Sequence, residues 1–147
     1  MDPLVVVILL ASLVVVATGL GLLHRHLRGR ARPARGEEIV DFDGLTLGEN
    51  ATLLQFSSEV CAPCVATHRV LEAVARDHPG TRHVDIDITD RPELAERFNL
   101  LQTPTTLVLD ARGALRARIG GSVRRDVLLE QLARVLNPST TSQIGPA

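Results

Sequence analysis

The chain of 147 residues contains no lysine, no tryptophan and no tyrosine, and it has only two cysteines, Cys61 and Cys64. Each shortage narrows the reading. A structural zinc site needs four ligands, and a lone Cys-X-X-Cys supplies two of them. His68, His78 and His83 are available, but there is no second paired motif, so no metal is expected. A purely structural disulfide is also a poor reading, because a bridge that closes so small a loop removes little chain entropy. The formal net charge of -1 calls for neither nucleic acid nor an acidic partner. All sixteen basic residues are arginine, which fits a GC-rich coding bias better than a function. No internal repeat is evident.

One long run is present. From Leu4 to Leu23 the chain carries no charged residue. As a helix this run reaches about 30 Å, the thickness of a hydrocarbon core. A cleaved signal peptide is the rival reading, but Met1-Asp2-Pro3 is not a basic n-region and no convincing small-x-small cleavage site follows. Residues 1–24 are therefore read as a transmembrane helix, in contact with lipid through residues 4–23, in a single-pass protein of the cell membrane. Arg25, Arg28, Arg30, Arg32 and Arg35 follow with no acid among them until Glu37. Basic residues beside a span stay on the cytoplasmic side, which puts the following domain in the cytoplasm. The opposite expectation, that an anchored thiol protein faces the oxidising side, remains the alternative. Residues 25–38 read as a basic linker and the polar tail 137–147 as disordered.

Residues 39–136 hold one compact domain. Ala51 to Ser58 suits an inner strand, and Cys64 to Gly80 has helical spacing with Pro79-Gly80 as its stop. Arg82 to Ile88 alternates like a strand, Arg91 to Leu100 opens with a first-turn proline, and Val123 to Leu136 is an amphipathic helix. Between them, two strands join through Asp110 to Gly113. The order strand, helix, strand, helix, strand, strand, helix indicates an α/β fold whose first strands are parallel and whose helices cover the sheet. Cys61 then falls after a strand end and Cys64 in the first turn of the next helix. Backbone N–H groups and the helix dipole favour an anion there, so a thiolate at Cys61 is expected. A Cys-X-X-Cys at a βα junction is a place where a dithiol can be activated and exchanged.

The stretch TLLQFSSEVCAPC resembles the strand and active-site turn of thioredoxins. NLLQTPTTLVLD resembles the later segment in which a cis-proline faces the redox pair, and RIGG the glycine-bearing turn before the last helix. The likeness runs from about Phe42 to Leu136. It implies a thioredoxin-like fold, a mixed sheet flanked by helices, here behind an N-terminal transmembrane helix. It also implies that Cys61 is the exposed nucleophile, Cys64 the buried resolving thiol, Pro104 the cis-proline, and Thr103 to Thr105 the segment that meets a substrate strand. No cofactor beyond the Cys61–Cys64 disulfide is implied. The partners would be protein disulfides or a partner redox protein, with no nucleic acid.

Departures from the family pattern are concentrated near the cysteines. Val60 stands in place of the usual tryptophan, Ser57 in place of an aromatic, and Gln55 where thioredoxins bury an aspartate beneath the second cysteine. Gln cannot take a proton at neutral pH. His68, one helical turn beyond Cys64, and His83, near the place of a family lysine, are the candidates for proton transfer. Two function classes follow: a membrane-anchored thiol–disulfide oxidoreductase working in the reductase direction, or a thioredoxin-fold binding or scaffold module with little turnover.

Overall fold

The computed structural model describes residues 2–27, 31–33 and 38–137. The arginines at 28, 30 and 35 of the expected linker, and residues 138–147 of the expected tail, lie outside the described residues. The apolar run forms α1 (Pro3–Leu27), with Pro3 in the first turn where its missing N–H removes no helical bond. Its stretch Pro3–Leu23 is long and apolar enough to cross a membrane, and none of it is covered by protein. Among the described residues α1 packs against no other element. Its Leu and Val side chains stand open, as with Leu4 at 71% and Val15 at 70% exposure.

The domain follows as β1 (Ala31–Pro33), β2 (Ala51–Ser57), α2 (Ala62–Asp77), β3 (Thr81–Asp87), α3 (Pro92–Arg97), β4 (Thr105–Asp110), β5 (Leu115–Gly120) and α4 (Arg125–Leu136). The strands form one sheet in the order β1-β5-β4-β2-β3. β2 and β3 are parallel, as α2 crossing between them requires, and the other pairs are antiparallel. β1 lies in the stretch read from sequence as linker. Its three residues carry no apolar alternation; they are strand because the open edge of β5 offers them a ladder, and Pro33 is tolerated on that edge.

Strand alternation divides the core in two. Ala51 and Leu53 of β2, Val108 of β4, and Ala117 and Ile119 of β5 face α2 and α4, where Leu71, Val74, Leu128 and Leu132 cover them. Leu54 and Phe56, Leu107 and Leu109, and Leu115 face the other way, onto Leu94 and Phe98. Leu115 and Ala117 share parity yet lie on opposite faces. A bulge between Val108 and Leu109 inserts Arg116 into β5 and turns the strand over at that point.

The sheet has a functional polarity. The C-terminal end of β2, the start of β4 and the end of β5 lie together: Phe56 pairs with Thr105, and Thr105 with Gly120. The loop that carries Cys61, and the first turn of α2 that carries Cys64, leave the sheet at this end.

Candidate active site

Cys61 and Cys64 form a disulfide with Cα atoms 5.2 Å apart. Cys61 is the N-cap of α2: its Sγ accepts from the Cys64 N–H at 3.2 Å, and its carbonyl accepts from the same N–H at 3.0 Å. A sulfur in the place usually held by a Ser or Asp oxygen thus meets an otherwise unpaired helix N–H group. Pro63 sits in the first turn, where its lack of a donor does no harm. Cys64 is 5% exposed, whereas Cys61 is only half-buried and Ala62 and Pro63 are exposed.

The Thr103–Pro104 peptide bond is cis. Pro104 and Thr105 are buried and Thr103 is half-buried. Three hydrogen bonds fasten this segment. The Ser58 and Thr103 hydroxyls are 3.0 Å apart, linking the loop before Cys61 to the residue before Pro104. Thr105 Oγ1 donates to the Gln102 carbonyl at 2.7 Å, and Gly121 N–H donates to the Pro104 carbonyl at 2.7 Å. Gly121 has φ +81°, a conformation that L side chains adopt only with strain. On the opposite side the Glu59 N–H donates to Thr89 Oγ1 at 2.9 Å, and Thr89 itself donates to Asp87. These Thr89 donors hold the Asp87 carboxyl below its ordinary pKa.

Beneath the disulfide, Gln55 is completely buried on the α2 face of β2 and donates through Nε2 to the Cys64 carbonyl at 3.1 Å. Its Oε1 has no hydrogen-bond partner, nor has Oγ1 of Thr106, its register partner on β4. The position that faces Cys64 is therefore filled by a neutral donor that also leaves two buried acceptors unanswered.

His68 and His83 are brought together, but with each other: their rings stand 4.7 Å apart, edge to face. His68 Nδ1 lies 2.9 Å from Asp85 Oδ2, and Ser57 Oγ donates to Asp85 Oδ1 at 2.6 Å. Asp85, not His83, is the β3 residue in register with Gln55; His83 pairs with Leu53. Burial lowers the His83 pKa first and His68 lowers it further, against the opposing pull of Asp85 and Glu72. His83 Nε2 and Thr81 Oγ1 are buried without partners beside a shallow polar depression lined also by His68, Glu72 and Arg76. His78 is elsewhere, its Nδ1 2.8 Å from the Val74 carbonyl. Among the described residues no three His, Cys, Asp or Glu side chains gather as metal ligands.

Two residues at this end escaped the sequence reading. Ser58 is an ordinary polar residue until the fold sets it against Thr103. Asp85 shares strand parity with His83, a signal that was legible, but its pairing with His68 depends on how α2 lies over β3.

This arrangement has relatives of known sequence and structure. The Thioredoxin family model matches residues 40–134. The chain belongs to the thioredoxin family. It is 29% identical over 89 residues to a thioredoxin of Chlamydia trachomatis, covering 60% of this chain and 86% of that one. A thioredoxin of Chlamydia muridarum is 30% identical over 99 residues, 66% of this chain and 96% of that one. Chloroplastic thioredoxin z shares the fold with a TM-score of 0.53 at 24% identity, over 59% of this chain and 79% of that one. With this family membership and the disulfide at the head of α2, the thioredoxin domain is a thiol–disulfide oxidoreductase.

Proposed function

We propose that this thioredoxin-family chain is a membrane-anchored protein-disulfide reductase, held in the bilayer by residues 4–23 and exchanging disulfides through Cys61-Ala62-Pro63-Cys64. The observation that carries the reading is the disulfide itself: one sulfur half-exposed at the N-terminus of α2, the other buried behind it. On reduction, the helix N–H groups favour the Cys61 thiolate. That thiolate attacks one sulfur of a partner disulfide, and the partner's other sulfur leaves as a thiolate that takes a proton from water. Cys64 then attacks Cys61 Sγ, the reduced partner departs and the 61–64 bridge is restored. The Cys61–Cys64 pair carries the two electrons of one turnover, and an external dithiol donor must reduce the 61–64 bridge again before the next. Thr103 to Thr105, tied to the cysteine loop through Ser58, supplies the strand edge against which a partner segment lies.

Proton transfer to and from Cys64 falls to water or to the His68–His83 pair, because Gln55 has no proton to exchange. The arginines from 25 to 35 support a cytoplasmic domain, whose surrounding thiol pool favours the reductase direction.

Replacing Cys64 by Ser tests the chemistry: mixed disulfides through Cys61 accumulate if the chain is a reductase. The scaffold reading is favoured instead if partners persist when both cysteines are replaced. For topology, Ser142→Cys in a chain lacking both native cysteines is exposed to a membrane-impermeant maleimide in intact cells. Protection until permeabilisation supports the cytoplasmic placement, and labelling without it overturns that placement.

A further inference from the structure

We propose that the disulfide end of the domain is turned toward the bilayer, so that the site acts on disulfides held close to the membrane surface, in membrane proteins or juxtamembrane segments. This rests on the membrane-anchored reading above and adds to it the class of substrate. The argument is one of strand direction. Ala31 pairs with Ile119 and Pro33 with Ala117, so β1 runs against β5 and begins beside the end of β5. The end of β5 lies beside the start of β4, and the start of β4 beside the end of β2, from which the cysteine loop departs. The chain thus enters the sheet from α1 at the same end that bears Cys61, Cys64 and Pro104. Three strand spacings separate β1 from β2, about 14 Å.

The tether is short. Leu23 closes the apolar span, α1 continues to Leu27, and β1 starts at Ala31. Four helical steps and four extended ones reach about 20 Å at most. A domain inverted to face its disulfide away from the membrane would require this tether to run down the whole flank of the sheet. The seven residues of β2 alone span about 23 Å, before the turns at the far end are added. The tether is too short for that, and the disulfide end stays near the bilayer. Outside α1, three of the four exposed large apolar side chains among the described residues, Val60, Val65 and Leu101, belong to this same end. An apolar surface is less costly there, facing a membrane partner, than facing open water. In the exchange, the Cys61–Cys64 dithiol gives two electrons and two protons to a partner S–S bond; that bond breaks to two thiols as the 61–64 bond forms.

Two measurements on the full chain in vesicles test this. First, in a Cys61→Ser/Cys64→Ser chain, a dye is placed by Val60→Cys or, at the opposite end of the sheet, by Ala111→Cys, with acceptor dyes on the lipid headgroups. Stronger energy transfer from position 60 is expected; equal or stronger transfer from position 111 overturns the proposal. Flotation of the protein with the vesicles keeps the two readings apart. A chain that does not float removes the anchor and this proposal together, whereas a floating chain with the reverse ranking removes this proposal alone. Second, a disulfide peptide is attached to lipid through a rigid polyproline spacer of about 10 or about 60 Å. The pre-reduced wild-type chain is expected to reduce the short-spacer peptide at least about tenfold faster, because geometry forbids the other encounter. Twenty Gly/Ser residues inserted after Leu27 should erase the difference while leaving reduction of a small soluble disulfide unchanged. Equal rates for the two spacers with the wild-type chain contradict the proposal.

Discussion

The two ends of the sheet are built from the same strands and treat their polar groups in opposite ways. At the far end, the Asp110 carboxylate closes the β4–β5 turn by accepting from the N–H groups of Arg112 at 2.9 Å and Ala114 at 3.0 Å, and from Arg116 at 2.9 and 2.6 Å. Nearby, Asn50 Nδ2 donates to the Pro79 carbonyl and the Gly48 N–H to Thr52 Oγ1. At the disulfide end the helix N–H group meets a sulfur, Gln55 Oε1 and Thr106 Oγ1 stay unpartnered, and Val60 and Leu101 are 95% and 87% exposed. One end closes its turns on a carboxylate, while the other leaves two fully buried acceptors unanswered and apolar surface exposed beside the disulfide.

Substitutions at each end should therefore separate stability from activity. The largest expected effect is that of Cys61→Ser, which should bring reduction of insulin disulfides down to background while leaving the thermal transition of the reduced chain nearly unmoved. Residual turnover above background would show that the attacking sulfur has been misassigned. Next comes Asp110→Ala at the other end. It strips four donors of their acceptor and should cost about 2 kcal/mol in urea unfolding, with kcat/KM unchanged. Burial pushes the Asp110 carboxyl pKa up, but Arg116 and the two backbone N–H groups outweigh it and leave the value lowered. Its stabilisation is thus present above the ordinary carboxylate pKa and fades as pH falls through the lowered one.

Gln55→Leu is a finer probe. It loses one hydrogen bond to the Cys64 carbonyl, about 1 kcal/mol, and also removes an unanswered acceptor, so unfolding should shift by less than that. Turnover should change less than about threefold, since no proton passes through Gln55. A drop of tenfold or more would give this residue a chemical role. The smallest effect belongs to neither end. His83, facing His68, Asp85 and Glu72, has a pKa below 6.5 when folded, so the unfolded chain binds more protons in the interval between. Stability should be full above pH 6.5 and decline as the pH falls below it, and His83→Gln should flatten this slope in denaturant titrations.

Much of the site was readable because its signals are local. The cysteine spacing, the strand before it and the helix after it each depend on a few consecutive residues, whereas Pro104 is placed by the family resemblance, since its own neighbours mark only the start of a strand. What was not readable depends on register. The strand β1 exists only because β5 has a free edge, and nothing in Ala31-Arg32-Pro33 announces it. Leu115 changes faces because of a single inserted residue, which alternation counted along β5 cannot detect. Ser58 meets Thr103, and His68 meets Asp85, across separations of 45 and 17 residues that no local pattern sets.

The most direct test is a redox titration of the full chain. It is equilibrated in graded mixtures of dithiol and disulfide buffer, and the oxidised fraction of the Cys61–Cys64 pair is read from the mass added by alkylation. The expected result is one reversible two-electron transition, with a midpoint between about -270 and -120 mV. A pair that stays closed in excess dithiothreitol, or that opens and will not close again, contradicts the account.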